Sequence, residues 1–289
     1  MRKKLALAVA AACACVGAAA PAYAQGSAAP AAPKVVGLTG DGTLVTFRAD
    51  APARTTRLGK ITGLAGDTGV VGIDFRVQDR KLYAVGDKGG VYTVGGDAKA
   101  RKVSQLTVAL DGTVFGVDFN PAANRLRVIS DTGQNLRHNI DDPAGAPAAG
   151  TTATDGTLTG PPVPPATTGA TATGVSGAGY TNNDLSAATA TTLFDLDTTA
   201  DQVSVQSPAN AGSLAPTGRL GVDATGGAGF DVFSTLRDGV TVSNTAYATL
   251  KTDGGYRFHS VDLLTGAAVQ IGAFPGNRQV VDIAVRPGG

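Results

Sequence analysis

The run VVGIDFRVQDRKLYAVGDKGG at residues 70–90 returns 44 positions later as VFGVDFNPAANRLRVISDTGQ at 114–134. Val70 coincides with Val114, Gly72 with Gly116, Asp74 with Asp118, Phe75 with Phe119, Leu82 with Leu126, Asp87 with Asp131 and Gly89 with Gly133. No other feature constrains the chain as strongly. A period in the forties, with several short apolar runs separated by turn residues, marks a unit of short strands that must stack against copies of itself to bury its faces. The pattern predicts an all-β fold, a β-propeller whose blades each carry four antiparallel strands.

Weaker copies follow. One opens near Gly174 and continues through TTLFDLD, DQVSVQ and TGRLG; another opens with GFDVF at 229–233 and continues through AYATL, YRFHSVDL and AAVQIG. The ends are incomplete. Residues 36–47 match the second half of a unit, and IAVRP at 283–287 matches a first strand. Joined, they complete one blade and close the ring, which removes the edge strands that template aggregation. The count is five blades, with six as the alternative: 281–286 plus 34–62, then 70–108, 114–158, 174–216 and 220–273. Composition agrees, since every acidic residue is Asp, Gly occurs 40 times and there is no Trp. Glu favours helix interiors, whereas Asp and Gly favour turns. The Pro/Thr/Ala/Gly-rich stretch 142–173 has too few apolar groups to bury and is expected to loop out of the single domain at 34–289.

Residues 1–24 have a cationic start (Arg2, Lys3, Lys4), an apolar run and an Ala-Tyr-Ala cleavage pattern, which predicts a secretory signal peptide. An Ala/Pro leader, 25–33, is expected to be disordered. Export places the chain outside the cell or in a periplasm, and no later segment approaches the roughly 20 apolar residues of a membrane helix. Both cysteines, Cys13 and Cys15, leave with the signal, so the mature chain has no disulfide or thiolate site. It keeps 21 basic against 23 acidic side chains. That near-balance gives no electrostatic case for nucleic acid.

Little else carries chemistry. In RLRVISDTGQNLRHN, Arg125 and Arg127 share one strand face, and Asp131, Asn135, Arg137 and His138 follow around a turn. Three guanidinium groups near one turn could hold a carboxylate, phosphate or sulfated sugar; the plainer reading is a solvated hairpin face. Asp74 and Asp118, with Asp231 and Asp282 as counterparts, fall on first strands, where repeated carboxylates could ring a calcium-type cation or simply accept neighbouring amides. Asp195, Asp197 and Asp201 read as a polar turn, because the spacing misses a calcium loop. GVSGA at 174–178 misses the nucleophile-elbow pattern. His138 and His259 form no recognisable triad or zinc set, and His259 is expected on a strand surface. No phosphate-cradling glycine motif appears.

The strings GVDFNPAANRLRVISDTGQNLRHN, AGYTNND, LFDLDTTADQVSVQSPANAGSL and HSVDLLTGAAVQIGAF resemble a secreted bacterial family catalogued as domain of unknown function forty-three ninety-four, over about residues 34–286. The resemblance implies an exported propeller-like domain and brings no reaction or ligand. The chain departs from many relatives at His138 and Asn139 and in its Pro-rich insertion. The resulting expectation is a monomeric, exported, non-catalytic module that binds a glycan, an anionic small molecule or a protein, without a resident cofactor. The alternative is a propeller-type hydrolase or lactonase with a calcium-type ion in the central channel.

Overall fold

The computed structural model describes residues 32–288. The expected signal peptide and leader residues 25–31 lie outside the described residues. Ala32 and Pro33, expected in the leader, belong to the fold. Ala32 packs on a cluster containing Val35 and Phe47, and the Pro33 carbonyl accepts the Ala49 amide at 2.9 Å.

The chain forms five four-stranded antiparallel sheets. It begins with β1 (Lys34–Thr39), β2 (Thr43–Arg48) and β3 (Thr56–Lys60) of blade 1. Blade 2 is β4 (Val70–Phe75), β5 (Leu82–Gly86), β6 (Gly90–Val94) and β7 (Ala100–Gln105). Blade 3 is β8 (Phe115–Asn120), β9 (Arg125–Ser130), β10 (Asn135–His138) and β11 (Thr152–Thr154). Blade 4 is β12 (Val175–Tyr180), β13 (Leu193–Asp197), β14 (Gln202–Gln206) and β15 (Leu214–Arg219). Blade 5 is β16 (Gly229–Arg237), β17 (Val240–Thr252), β18 (Gly255–Val261) and β19 (Ala268–Ala273). The last strand, β20 (Val280–Val285), returns to blade 1 and becomes its innermost strand. Its register pairs Val35 with Val285, Val36 with Ala284 and Gly37 with Ile283, so the expected closure between the two ends holds.

Burial follows distance from the axis. Every residue of β5 and of β9 is buried, whereas β7 is mostly exposed. A strand sandwiched between two neighbouring blades is covered on both faces and needs no polar alternation, while an outer strand faces water. The core is therefore five wedges between blades. Phe75, Leu82 and Val94 pack with Val36 and Leu44 between blades 1 and 2, and Phe194 and Leu196 pack with Phe230 and Val232 between blades 4 and 5.

The segment 142–173 does not simply loop out. Thr152–Thr154 supplies the fourth strand of blade 3, Leu158 is fully buried, and Thr159 bridges both Thr171 and Ser213. The physical reason is that Leu158 needs cover and the backbone beside it needs partners, which blades 3 and 4 supply.

Candidate functional site in the central channel

The five innermost strands, β20, β4, β8, β12 and β16, lie side by side around the axis. Two levels along them decide the chemistry. The first carries Gly72, Gly116, Gly177 and Gly229, with Asp282 of β20 beside Gly229. A Cβ on Gly116 would sit 2.7 Å from the Ala178 nitrogen, and one on Gly229 would sit 2.6 Å from Asp282 Cα. Glycine is required here because neighbouring backbones meet where a side chain would be.

The second level, two residues on, carries Asp74, Asp118 and Asp231, with Gly179 on β12 and Ala284 on β20. Each aspartate reaches the next blade around the ring. Asp74 Oδ2 accepts the Phe119 amide at 2.8 Å, the Tyr180 amide of the next blade pulls the Asp118 carboxyl downward, and Asp231 Oδ2 accepts the Val285 amide at 2.5 Å. Asp282 Oδ2 does the same for Ile73 at 2.8 Å. Three of the five blade junctions thus have a carboxylate clip between inner strands, and the junction from blade 4 to blade 5, where Gly179 stands, is tied instead by Asn183 donating to the Val232 carbonyl and by Asp184 accepting the Thr241 amide, beside its apolar wedge.

One oxygen from each of Asp74, Asp118 and Asp231 lies within 4.8 Å of the others, and all three residues are buried. Loss of solvent drives their carboxyls upward, and mutual repulsion adds to it for Asp74 and Asp118. Asp231 is pushed up to about 7 by burial, against the pull of the Val285 and Val232 amides. Asp282 also reaches about 7 through desolvation, opposed by the Ile73 and Ile283 amides. Such a set titrates as a unit and holds a proton or a cation near neutrality. The donor set fits a cation in charge and proximity. It fits calcium poorly in free positions, because Asp74 already accepts one backbone amide and Asp231 two and calcium takes roughly six to eight oxygens.

Above these levels the channel opens into a mouth of about 280 Å³, walled by Val70, Val114, Phe115 and Ala228, with Asp282 on its lining. Asp282 keeps partial solvent contact there, unlike the three aspartates beneath it.

The basic string is placed elsewhere. Arg125 and Arg127 share a face as expected, but that face is covered rather than solvated. Arg127, 2% exposed, donates Nη1 to Asn135 Oδ1 and Asp155 Oδ2, both at 2.7 Å. Its Nη2 reaches Asn210 at 2.8 Å and its Nε the Tyr180 hydroxyl at 3.3 Å. Arg125 donates to Asp142 and to the carbonyls of Ala123, Asn124 and Ala146. Arg137 makes a two-pronged pair with Asp155. Asp131 accepts from Thr113 instead of pairing with an arginine. His138 is fully buried between Ser104 and Thr152, and burial lowers its pKa to about 4. The expected basic surface is therefore a set of internal struts: Tyr180 and Asn210 of blade 4 and the 142–156 segment cover it, and neither could be foreseen as neighbours from the local pattern.

Two further expectations change. His259 is buried, not on the surface, with Nδ1 against the Arg257 carbonyl at 3.1 Å. Asp195 and Asp197 lie in β13 rather than in a turn; Asp195 is buried with neither carboxylate oxygen bonded to protein.

A family model described as domain of unknown function (DUF4394) matches residues 43–284. The chain belongs to that family. No curated protein matches this DUF4394 domain in sequence. Among solved structures it is similar to a protein of unknown function from Bacteroides thetaiotaomicron, at 13% identity and TM-score 0.47, the match covering 90% of this chain and 68% of that one. An auxiliary nutrient binding protein from the same organism is 10% identical with TM-score 0.44, covering 84% of this chain and 58% of that one. This DUF4394 domain therefore spans less than two thirds of that protein's length. A chain of a nidogen/laminin complex is 13% identical with TM-score 0.45, covering 87% and 84%. Likenesses of this size carry no function across.

Sequence reasoning overlooked Arg76 in this DUF4394 domain. It is 5% exposed and grips Asp141, Asn124 and the Tyr83 hydroxyl, tying blade 2 to blade 3. Its signal was present, since an arginine stands where Asn120 stands in the next repeat. Among the described residues, no helix is long and apolar enough to cross a membrane.

Proposed function

We propose that this protein is an exported, non-catalytic binding module that takes a hydroxyl-bearing ligand, such as a glycan end-group, at the mouth of its central channel. One observation carries the reading: an apolar-walled opening with an aspartate on its lining, backed by three more buried carboxylates. Apolar walls suit the faces of a sugar ring, and a carboxylate accepts hydroxyl protons in the strong, charge-assisted way. Asp282, once ionised, repels an anion at the mouth, so the anionic ligand considered for the basic string does not suit it. The expected N-terminal signal supplies the exported location.

The test is a glycan array followed by titration of any hit against wild type and Asp282→Asn. Asparagine keeps an oxygen for the Ile73 amide, so the clip survives while the charge goes. Because Asp282 sits near 7, wild-type affinity is expected to rise from pH 6 to pH 8 by roughly tenfold, and the variant's profile to be flat. Absence of any hit, or equal pH profiles, removes the mouth as the site.

A second reading, a metal-dependent hydrolase or lactonase, draws on the 4.8 Å grouping of Asp74, Asp118 and Asp231. A bound ion there would raise the melting temperature and be stripped by EDTA. An unchanged thermal transition on chelation takes that reading away.

A further inference from the structure

A second cavity lies at the other end of the inner strands. The mouth sits where β4 and β20 begin; this cleft, about 300 Å³, sits where they finish, between blades 1 and 2. Its floor is apolar: Val36, Phe75, Leu82 and Val94 are part of the wedge between the two blades. Its rim is cationic, formed by the exposed side chains of Arg80, Lys81 and Arg286.

Two of the three rim charges have no carboxylate partner among the described residues. No carboxylate lines the cleft. Lys81 lies 3.4 Å from Asp79, but Arg80 and Arg286 form no ion pair among the described residues. Arg80 is held in place by donating to the Pro287 carbonyl at 3.1 Å, from a left-handed backbone at φ 58. Arg286 lies over the Phe75 ring, 5.4 Å from its centroid. Two guanidinium groups are thereby fixed beside an apolar floor.

We propose that this cleft binds a small organic anion with an apolar body, a carboxylate carrying an alkyl chain or ring. The floor rewards the apolar part by removing it from water, and the paired arginines receive the head through two-pronged hydrogen bonds. A cavity of this size lies at the small end of ligand sites, which run from about 300 Å³ upward. Inorganic phosphate satisfies only the rim, and a neutral hydrocarbon only the floor. The site goes beyond the channel-mouth reading and is independent of it.

The experiment is isothermal titration calorimetry of the purified full chain with sodium octanoate, octan-1-ol and inorganic phosphate. Octanoate is expected to give saturable binding, and the other two to bind at least about tenfold more weakly. An Arg80→Ala/Arg286→Ala double variant is expected to lose at least about tenfold in octanoate affinity with an unchanged melting curve. Gly96→Asp, at a cleft-lining position with open space around its Cβ, adds a repelling carboxylate and is expected to match that loss; it decides the matter if the double variant fails to fold. Asp282→Asn should leave octanoate binding untouched, which separates this cleft from the channel mouth. No saturable heat with octanoate, equal affinity for octanol, or wild-type affinity in Gly96→Asp overturns the proposal.

Discussion

A guanidinium removed from water is tolerable only when its donors are met, and Arg127 meets its own with Tyr180, Asn135, Asp155 and Asn210. Removing it strands Asp155, itself 6% exposed, beside Arg137 alone. Arg127→Ala is therefore expected to cost about 3–5 kcal/mol, the range for breaking a buried pair by deleting one partner. Arg137→Ala, at a side chain 23% exposed, should cost about 1 kcal/mol, close to a surface pair. Chemical denaturation of the two variants gives the comparison, and the reverse order would show that Arg127 is not the strut. Period-two alternation in RLRVIS was enough to put Arg125 and Arg127 on one face and Leu126 and Val128 on the other. It could not say that both faces are covered. Leu126 and Val128 meet Tyr83 and Val91 of blade 2, Arg127 meets Tyr180 and Asn210 of blade 4, and Arg125 is covered by the insertion at Asp142 and Ala146, so neither cover follows from the strand's own alternation.

The inner strands of this ring approach one another at glycines, and the tolerance of each glycine follows from what its missing Cβ would touch. Gly116→Ala places a Cβ against the backbone of Gly177 and Ala178, which cannot rotate away as a side chain can. A loss of about 1–3 kcal/mol or more is expected from such overpacking. Gly276→Ala, with nothing within 4 Å, should stay within about 0.5 kcal/mol of wild type; thermal melts of the pair make the check. The repeated Gly-x-Asp of β4 and β8 was visible because both members keep glycine and aspartate. Blade 4 was harder to read, since Gly177-Ala178-Gly179 keeps the spacing glycine but drops the carboxylate. Asp282 departs from the repeat in the other direction: it stands level with the glycines, two residues before Ala284, yet still clips Ile73. Closure by β20 makes a further demand. Deleting Val280–Val285 exposes the edge of β1 and removes Ile283 and Val285 from their wedge. Loss of cooperative unfolding, with aggregation, is the expected result by calorimetry and light scattering.

The ring as a unit converts local burial into a pH dependence. Asp231 and Asp282 rise to about 7 in the fold from an ordinary 3.8, and Asp74, Asp118 and Asp195 are also raised by burial. The folded protein then holds protons that the unfolded chain releases. The stability that Asp231 and Asp282 contribute is complete below about pH 4 and is lost as pH climbs through about 7, and Asp74, Asp118 and Asp195 act in the same direction. His138 works the other way, because its folded pKa of about 4 lies below 6.5, so its penalty appears as pH falls through that window. His259 is lowered as well, but two imidazoles oppose five carboxyls. The repeat made the aspartates legible, but their proximity was not, since it depends on how tightly the glycine level draws the strands together. The net expectation is a melting temperature higher at pH 5.5 than at pH 8, with Asp231 and Asp282 each contributing on the order of 2 kcal/mol across that interval. Scanning calorimetry across that range tests it. Asp231→Asn with Asp282→Asn should flatten the slope, and a wild-type curve that rises toward pH 8 in EDTA would mean that the carboxylates are ionised and neutralised by some other means. Calcium added at pH 8 supplies the last discrimination. If it restores the lost stability, the three clustered carboxylates accept an ion despite their amide bonds; if it does nothing, protons alone settle their charge and the ring is a structural clamp beneath the channel mouth.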